Sequence, residues 1–321
     1  MNEKICAVVV TYNRKDLLIE CLEALRKQTR PLQGIYIIDN ASTDSTPTLL
    51  LDKGYIKELP PLKLDEPIEK EFVIENLTNS EPIKIHYVRM NENTGSSGGF
   101  YEGVKRGYEK GYDWLWLMDD DGIPITTTLE KLLYNKNQAD VLNSLVLLNG
   151  TNNLSFGIYY NKKIIYNFLE ICATKKKLIF NTANFYNSTL ISKNIIKKVG
   201  YPNKNLFIWG DEMEYFIRIM KYGGRVATVT DSFFYHPKGL GIRKKIMGLE
   251  VPVISNKLKL YCFIRNEAYI GKKYSFKSLI NLFISYMFFY ISNLKFYEFF
   301  FFLSAFVDGI FERWGKEKKY L

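Results

Sequence analysis

The chain has 321 residues, 47% of them apolar and 24% charged, with a net charge of +10. That is long and apolar enough to bury a sizeable core, which excludes a disordered tail. The four cysteines, Cys6, Cys21, Cys172 and Cys262, lack the close spacing of a zinc site or disulfide scaffold and are expected as reduced thiols.

The opening MNEKICAVVVTYNR runs straight into a short apolar strand with no cleavage-site pattern, so export is not expected and a cytoplasmic location is. "ICAVVV" reads as a buried strand and "RKDLLIECLEALRKQ" as a helix; "GIYIID" is a second strand, and "STDSTPTLLLDKG" a short helix. Lys57 to Lys84, with its prolines and mixed charges, reads as a surface insertion. "IKIHYVRM" resumes the sheet, "GGFYEGVKRGYEKG" forms a helix and "DWLWLM" a further strand. Later, "NTANFYNSTLISKNIIKKVG" reads as strand then helix, "GDEMEYFIRIMKYGG" as an amphipathic helix ended by glycine, and "RVATVT" as the final strand. This alternation predicts an α/β fold: a Rossmann-like mixed, mostly parallel sheet with helices on both faces, plus a C-terminal helical appendage. A boundary is expected near residue 240, separating an α/β domain, 1–240, from a C-terminal region, 241–321.

Polar clusters follow three of these strands: "TYNR", "DNASTD" and "DDDG". Ligands of open α/β sheets bind outside the carboxyl ends of the strands, so all three can face one crevice. In an extended segment Asp119 and Asp121 point to one side and Asp120 to the other. Paired carboxylates on one side suit Mg²⁺ or Mn²⁺; a solvated acidic turn is the plainer alternative. Of the two histidines, His86 reads as a strand-face side chain. His236 falls just beyond a strand, where its imidazole is either structural or completes a metal site. In "WGDEMEYF", Asp211 and Glu214 make a D-x-x-E capping pattern, or one carboxylate serves as a general base. Gly98 and Gly99, in "NENTGSSGGFYEG", allow either close approach of a ligand to a helix start or a plain turn.

From Pro237 to Leu321 there are fifteen Lys or Arg against six Asp or Glu, so nearly all the net charge lies there. The same region carries "SLINLFISYMFFYISNLKFYEFFFFLSAFVDGIFERW", in which polar and charged residues interrupt any clean span of about 20 apolar residues. Amphipathic helices lying on an anionic membrane surface fit it, as does a hairpin packed on the core or forming a homo-oligomer. Nucleic acid is not expected as a partner, because phosphate binding does not require so phenylalanine-rich a face.

"VVVTYNR", "IIDNASTDST", "NTGSSGGF", "WLMDDDGIP", "FIWGDEMEYFIR" and "FFYH" together resemble, in order, the inverting GT-A-type glycosyltransferases of family 2. With "YCFIRNEAY" they look closest to its bacterial galactofuranosyl- and rhamnosyltransferases, over about residues 4 to 270. The resemblance implies that Asp119 and Asp121 hold a divalent ion, Mn²⁺ or Mg²⁺, on the donor diphosphate, with His236 as third ligand. It places Asp39 on the nucleotide base, with Thr11, Asn13 and Arg14 in the same pocket, Asp120 near the ribose or sugar, and Asn93, Gly98 and Gly99 on the donor side. The family's base is usually the second of two adjacent acids. Here that is Glu212 where many members have Asp, which leaves Glu212 and Asp211 both open. Trp209 is expected as a platform for acceptor sugar.

The implied activity moves a sugar from a nucleotide-sugar donor, UDP-galactofuranose or dTDP-rhamnose favoured, to a glycan or glycolipid acceptor. It would take place at the inner face of the cell membrane. The alternatives are a sugar nucleotidyltransferase, which would release pyrophosphate, and a catalytically silent glycan-binding or assembly subunit.

Overall fold

In the computed structural model, which describes residues 3–237, 243–246 and 249–321, the first strand, β1 (Ile5–Thr11), is buried along its whole length. An unbroken run of Ile, Cys, Ala and Val suits a strand covered on both faces. It lies between two parallel neighbours, β2 (Gly34–Asp39) and β5 (Trp114–Asp119). The helix between β1 and β2, α1 (Lys15–Arg26), buries Leu18, Cys21, Leu22 and Leu25, a one-sided stripe at helical spacing. After β2 come α2 (Thr46–Asp52), β3 (Ile68–Glu75), β4 (Pro82–Arg89) and α3 (Gly95–Glu109). β4 extends the parallel block to β5-β1-β2-β4. The stretch expected as a surface insertion carries β3, which pairs antiparallel with β4 from Ile68–Arg89 to Glu75–Pro82 and makes the sheet edge.

Beyond β5 follow β6 (Ile123–Pro124), α4 (Thr128–Tyr134), β7 (Val141–Leu148), β8 (Asn153–Tyr160), β9 (Lys163–Asn167) and α5 (Phe168–Ala173). Then come β10 (Leu178–Phe180), β11 (Asn187–Ser192), α6 (Lys193–Val199), α7 (Asp211–Lys221) and β12 (Val226–His236). The sheet order is β10-β12-β7-β11-β5-β1-β2-β4-β3, with β11 antiparallel to both neighbours and β12 parallel to β7. The sheet is therefore mixed. "RVATVT" is the start of a strand that runs on to His236, so the histidine ends β12 instead of lying beyond it. It is not the final strand either: the antiparallel pair β13 (Arg243–Ile246) and β14 (Leu249–Pro252) follows.

Helices cover both sheet faces because β1 presents alternate residues to each. Ile5, Ala7 and Val9 share a core with Leu18, Leu22 and Leu25 of α1 and Leu129 and Leu132 of α4. Val8 and Val10 meet α3 instead, through glycines spaced four apart: a Cβ on Gly99 would lie 2.5 Å from Val10, and one on Gly103 2.3 Å from Val8. Gly107 repeats the device against Leu115, at 2.6 Å. Three glycines on one helix face thus let α3 approach Val10, Val8 and Leu115 closely.

The chain forms two compact units, one of Met1–Thr94, Gly99–Pro202 and Arg218–Gly239, which holds the large sheet, and one of Gly95–Gly98, Asn203–Ile217 and Leu240–Leu321. The second contains α8 (Lys257–Tyr274), α9 (Phe276–Ser292) and α10 (Phe296–Ile310). Its core is aromatic, with Tyr286 and Phe302 stacked at 5.4 Å. Asp308, buried on α10, accepts from Tyr261 Oη and Lys316 Nζ, each at 2.7 Å, so its charge is both paired and hydrogen-bonded. No helix among the described residues is long and apolar enough to cross a membrane.

Replacing Gly103 by Val should force a side chain into the space held by Val8. We expect a loss of about 3 kcal/mol, at the upper part of the range for overpacked cores, measured by denaturant unfolding; a change under about 0.5 kcal/mol would refute the close helix–sheet fit.

Candidate active site

The carboxyl ends of the parallel block lie level, with Thr11 opposite Asp39, Asp39 opposite Arg89, and Val10 opposite Asp119. Short side-chain bonds tie the loops that leave these ends. Asn13 Oδ1 accepts from the Thr43 amide at 2.6 Å, and the Asn13 amide donates to Ser42 Oγ at 3.1 Å. Asn40 Nδ2 donates to Asn93 Oδ1 at 3.1 Å, and Asn40 Oδ1 accepts from the Thr94 amide at 3.0 Å. Asn13, Ala41 and Ser45 all have positive φ, a strained conformation for such residues that clusters at functional loops.

Asp39 is fully buried, and the chain itself supplies its donors: Arg89 and Tyr87 to Oδ2 at 2.6 and 2.8 Å, and the Ser42 amide to Oδ1 at 2.9 Å. Its carboxylate therefore fixes the loop after β2. Gly99 lies on the face of α3 that meets Val10, so its missing side chain serves helix–sheet packing, while Gly98 is buried in the first turn of the same helix.

β5 stops at Asp119 and the chain turns, so side-chain alternation does not extend across the three aspartates. Asp120 and Asp121 consequently meet the same group: Arg14 Nη1 lies 3.1 Å from Asp120 Oδ1 and 2.8 Å from Asp121 Oδ2. Thr11 Oγ1 donates to Asp120 Oδ2 at 2.7 Å. Burial pushes Asp120 up to about 6, against the pull of Arg14 and Thr11, with Asp121's charge adding to the rise. The other oxygen of Asp121, Oδ1, lies 3.4 Å from His236 Nε2, and the His236 ring lies 5.1 Å from that of Phe156.

A carboxylate oxygen and an imidazole nitrogen at that separation can share one divalent ion at ligand distances of about 2.0–2.2 Å. The donor set fits Mn²⁺ or Mg²⁺. Asp119 is not gathered into it: among the described residues, three ligating atoms within 4.8 Å of one another occur only at Glu69, Glu71 and His86.

That other cluster, at the sheet edge, already has its cations. Arg106 pairs with Glu69 at 2.9 Å, Lys110 pairs with Glu71, and the buried His86 is stacked on Tyr36 with Nε2 2.8 Å from Tyr112 Oη. Although burial opposes it, His86 and Arg106 hold Glu69 down at about 2. His86 is thus a buried residue pinning the β3 edge, more constrained than a strand-face side chain.

In the second unit, Asp211 is buried and accepts from Ser96 Oγ at 3.3 Å, whereas Glu212 is half-buried. Burial, and then the Glu212 charge, push Glu267 of α8 up to about 7. Trp209 meets Phe263 edge-on at 6.2 Å, with Lys259 Nζ 5.7 Å over its ring. Sequence reasoning missed Glu267, Phe263 and Lys259. Their spacing of four on α8 is a signal, but nothing in it says what the face meets.

The family described as Glycosyl transferase family 2 matches residues 6–57 and 69–198, more than half the chain. The chain belongs to that family. It is a glycosyltransferase, and not a nucleotidyltransferase. It is 26% identical over 288 residues to the galactofuranosyltransferase GlfT1 of Mycolicibacterium smegmatis, covering 87% of this chain and 86% of that protein. To the dTDP-rhamnosyl transferase RfbF of Shigella flexneri it is 25% identical over 279 residues, covering 85% and 81%. Among solved structures it resembles S. aureus TarS residues 1–349, at a TM-score of 0.56 and 14% identity over 97% of this chain and 82% of that one. The UDP complex of the same TarS fragment gives a TM-score of 0.51 at 14% identity, over 89% and 72%. The glycosyltransferase spans 41% of the longer TarS chain. These likenesses fix the fold as GT-A-type. The unmatched gap at 58–68 takes in the segment leading to β3 and its first residue, Ile68.

Arg14→Ala should destabilise the glycosyltransferase at pH 7.5 by about 2–3 kcal/mol, somewhat below the figure for a fully buried pair because the Arg14 side chain is 43% exposed. A carboxylate raised in the folded state contributes stability below its unfolded value of 3.8 that is lost as pH rises through about 6. The deficit of the variant should therefore shrink at pH 5. Urea unfolding at the two pH values checks this, and equal deficits would show that Arg14 does not balance these charges.

Proposed function

We propose that the protein is an inverting transferase that moves galactofuranose or rhamnose from UDP-galactofuranose or dTDP-rhamnose to a hydroxyl of a growing, lipid-linked bacterial surface glycan. The observation that carries the reading is the approach of His236 to Asp121 beside Asp120 and Arg14, at the carboxyl ends of the parallel strands. The similarity to GlfT1 and RfbF supports the choice of donors, and the UDP held by TarS supports a nucleotide in a fold of this type.

In this reading Thr11, Asn13, Arg14, Asp39 and Asn93 border the donor, with Gly98 and Gly99 at the start of the following helix and Asp120 beside the ribose or sugar. Asp121 and His236, with Asp119, would hold Mn²⁺ or Mg²⁺. The ion would supply positive charge to a diphosphate whose negative charge grows as it leaves. The acceptor hydroxyl attacks the anomeric carbon from the face opposite the diphosphate. Its proton passes to the Glu212 carboxylate, the sugar–phosphate bond breaks, and the configuration inverts. Glu212 is favoured over Asp211 because it is the more accessible of the two. Trp209 offers an apolar face to the acceptor sugar.

Residues 1–240 form the catalytic domain in this proposal, and 241–321 keep it beside the lipid-linked acceptor. Phe276, Ile280, Ile284, Phe288 and Ile291 are exposed on α9 at intervals of three and four, the pattern of an apolar stripe along one helix side. Lys272, Lys273, Lys277 and Lys295 lie close by in sequence, which suits anionic head groups at the cytoplasmic face of the membrane. Self-association through the same helices is the competing use of this surface.

Excess EDTA, or Asp121→Asn, should abolish nucleoside diphosphate release from whichever of the two donors the enzyme turns over, and full activity in EDTA would remove the metal from the scheme. Glu212→Gln should lower kcat by about 10²–10⁴ with donor binding retained; if only Asp211→Asn does so, the base lies one residue earlier. The protein should float with anionic liposomes at low salt and lose flotation when Ile284 and Phe288 are replaced by Asp. Failure of the wild type to float, together with dimers in sedimentation, would assign the stripe to self-association.

A further inference from the structure

The RN pair of "YCFIRNEAY", Arg265 and Asn266, is fully buried on α8, and the chemistry proposed above does not use it. Both side chains are spent on one short piece of backbone. Asn266 Nδ2 donates to the carbonyl oxygens of Leu206, Ile208 and Trp209 at 2.8, 3.1 and 2.5 Å. Arg265 Nη2 donates to Leu206 O at 2.9 Å and Asn205 O at 3.4 Å, Nη1 pairs with the buried Glu317, and Nε donates to Asn266 Oδ1 at 3.0 Å. The one remaining carbonyl, Phe207 O, accepts from the Ser97 amide at 3.1 Å. Five successive carbonyls, Asn205 to Trp209, therefore each have a named donor, and the two N–H groups of a single amide are shared among three of them.

The backbone so held is not one these residues would choose. Phe207 has φ 65° and ψ −69°, and Trp209 has φ 63°. Bulky L-residues with positive φ are strained and persist only where their surroundings over-determine them. Gly210 follows with φ 88°, where a Cβ would come within 3.2 Å of Asn266 Cβ. Asp211 and Glu212 then open α7. The direction of the Trp209 ring and of both acids is thus set by a turn wrapped around the Asn266 amide.

We propose that Asn266, oriented by Arg265, is a positioning residue that holds the 206–210 turn, with positive φ at Phe207, Trp209 and Gly210, and so aims Trp209 and Glu212 at the acceptor. The functional half of this inference rests on the proposed role of Glu212 or Asp211 as base; the holding role does not. A buried asparagine that merely satisfied nearby carbonyls would affect folding stability, and turnover only in proportion to the unfolded fraction.

The test compares full-length Asn266→Ala and the isosteric Asn266→Asp, which replaces the donors by acceptors, with wild type. Ala serves as the readout if Asp does not fold. Amide hydrogen exchange should rise at least tenfold in a peptide covering 206–211 while peptides from β1, β2 and β5 keep wild-type rates. With UDP-galactofuranose or dTDP-rhamnose as donor and a synthetic alkyl glycoside as acceptor, kcat per folded enzyme should fall at least 100-fold with donor KM within threefold. Exchange at 206–211 within twofold of wild type, or a rise shared equally by the sheet peptides, overturns the holding role whether or not either donor is turned over. Exchange that rises locally while kcat stays at wild type overturns the aiming role. If exchange and kcat respond as expected but Glu212→Gln and Asp211→Asn both keep full turnover, the base assignment fails and the holding role stands.

Discussion

Two carboxylates carried into the edge of an apolar core must find positive charge within hydrogen-bond reach, or surrender their ionisation. Asp120 and Asp121 meet that demand through Arg14, which is delivered by the loop after β1, a different strand from their own. The contact depends on β1 and β5 being parallel neighbours that end level, and that register depends in turn on the close seating of α3 across both strands. Sheet topology, helix packing and the charge balance of the crevice are therefore one constraint seen at three scales.

The loops around the crevice are tied to one another. Asn13 bonds to the loop after β2 and Asn40 to the loop after β4, while the Arg89 guanidinium at the end of β4 holds Asp39 and Ser42. Positive φ at Asn13, Ala41 and Ser45 is the strain those bonds hold in place. Within that frame Asp121 is turned toward His236 as well as Arg14.

The second unit uses a related device with different chemistry. Instead of many short ties between loops, one buried Arg–Asn pair gathers the carbonyls of a single turn, and the strain lies in two aromatic residues. The half-buried Glu212 has a second acid, Glu267, as its electrostatic neighbour, where the other unit opposes acid to guanidinium.

Much of the fold is legible in the sequence because burial on both faces writes itself as unbroken apolar runs, and one-sided burial as helical spacing. "ICAVVV", "GIYIID", "DWLWLM" and "RKDLLIECLEALRKQ" each follow one of these rules and stand where the pattern puts them. The ordered motifs determined the family because most of them mark the end of a strand or the start of a helix. Tertiary structure alone decided the rest. Alternation could not place Asp120 and Asp121, because it holds only while the chain stays extended, and β5 ends at Asp119. The length of β12 was set by its pairing with β7, a partner far away in the chain. The glycines of "GSSGGFYEGVKRG" proved to be divided, Gly99, Gly103 and Gly107 serving packing, because a missing side chain says only that something comes close and not what. The work of "RN" in α8 was likewise invisible, since its partners are backbone carbonyls some sixty residues away that carry no sequence signature at all.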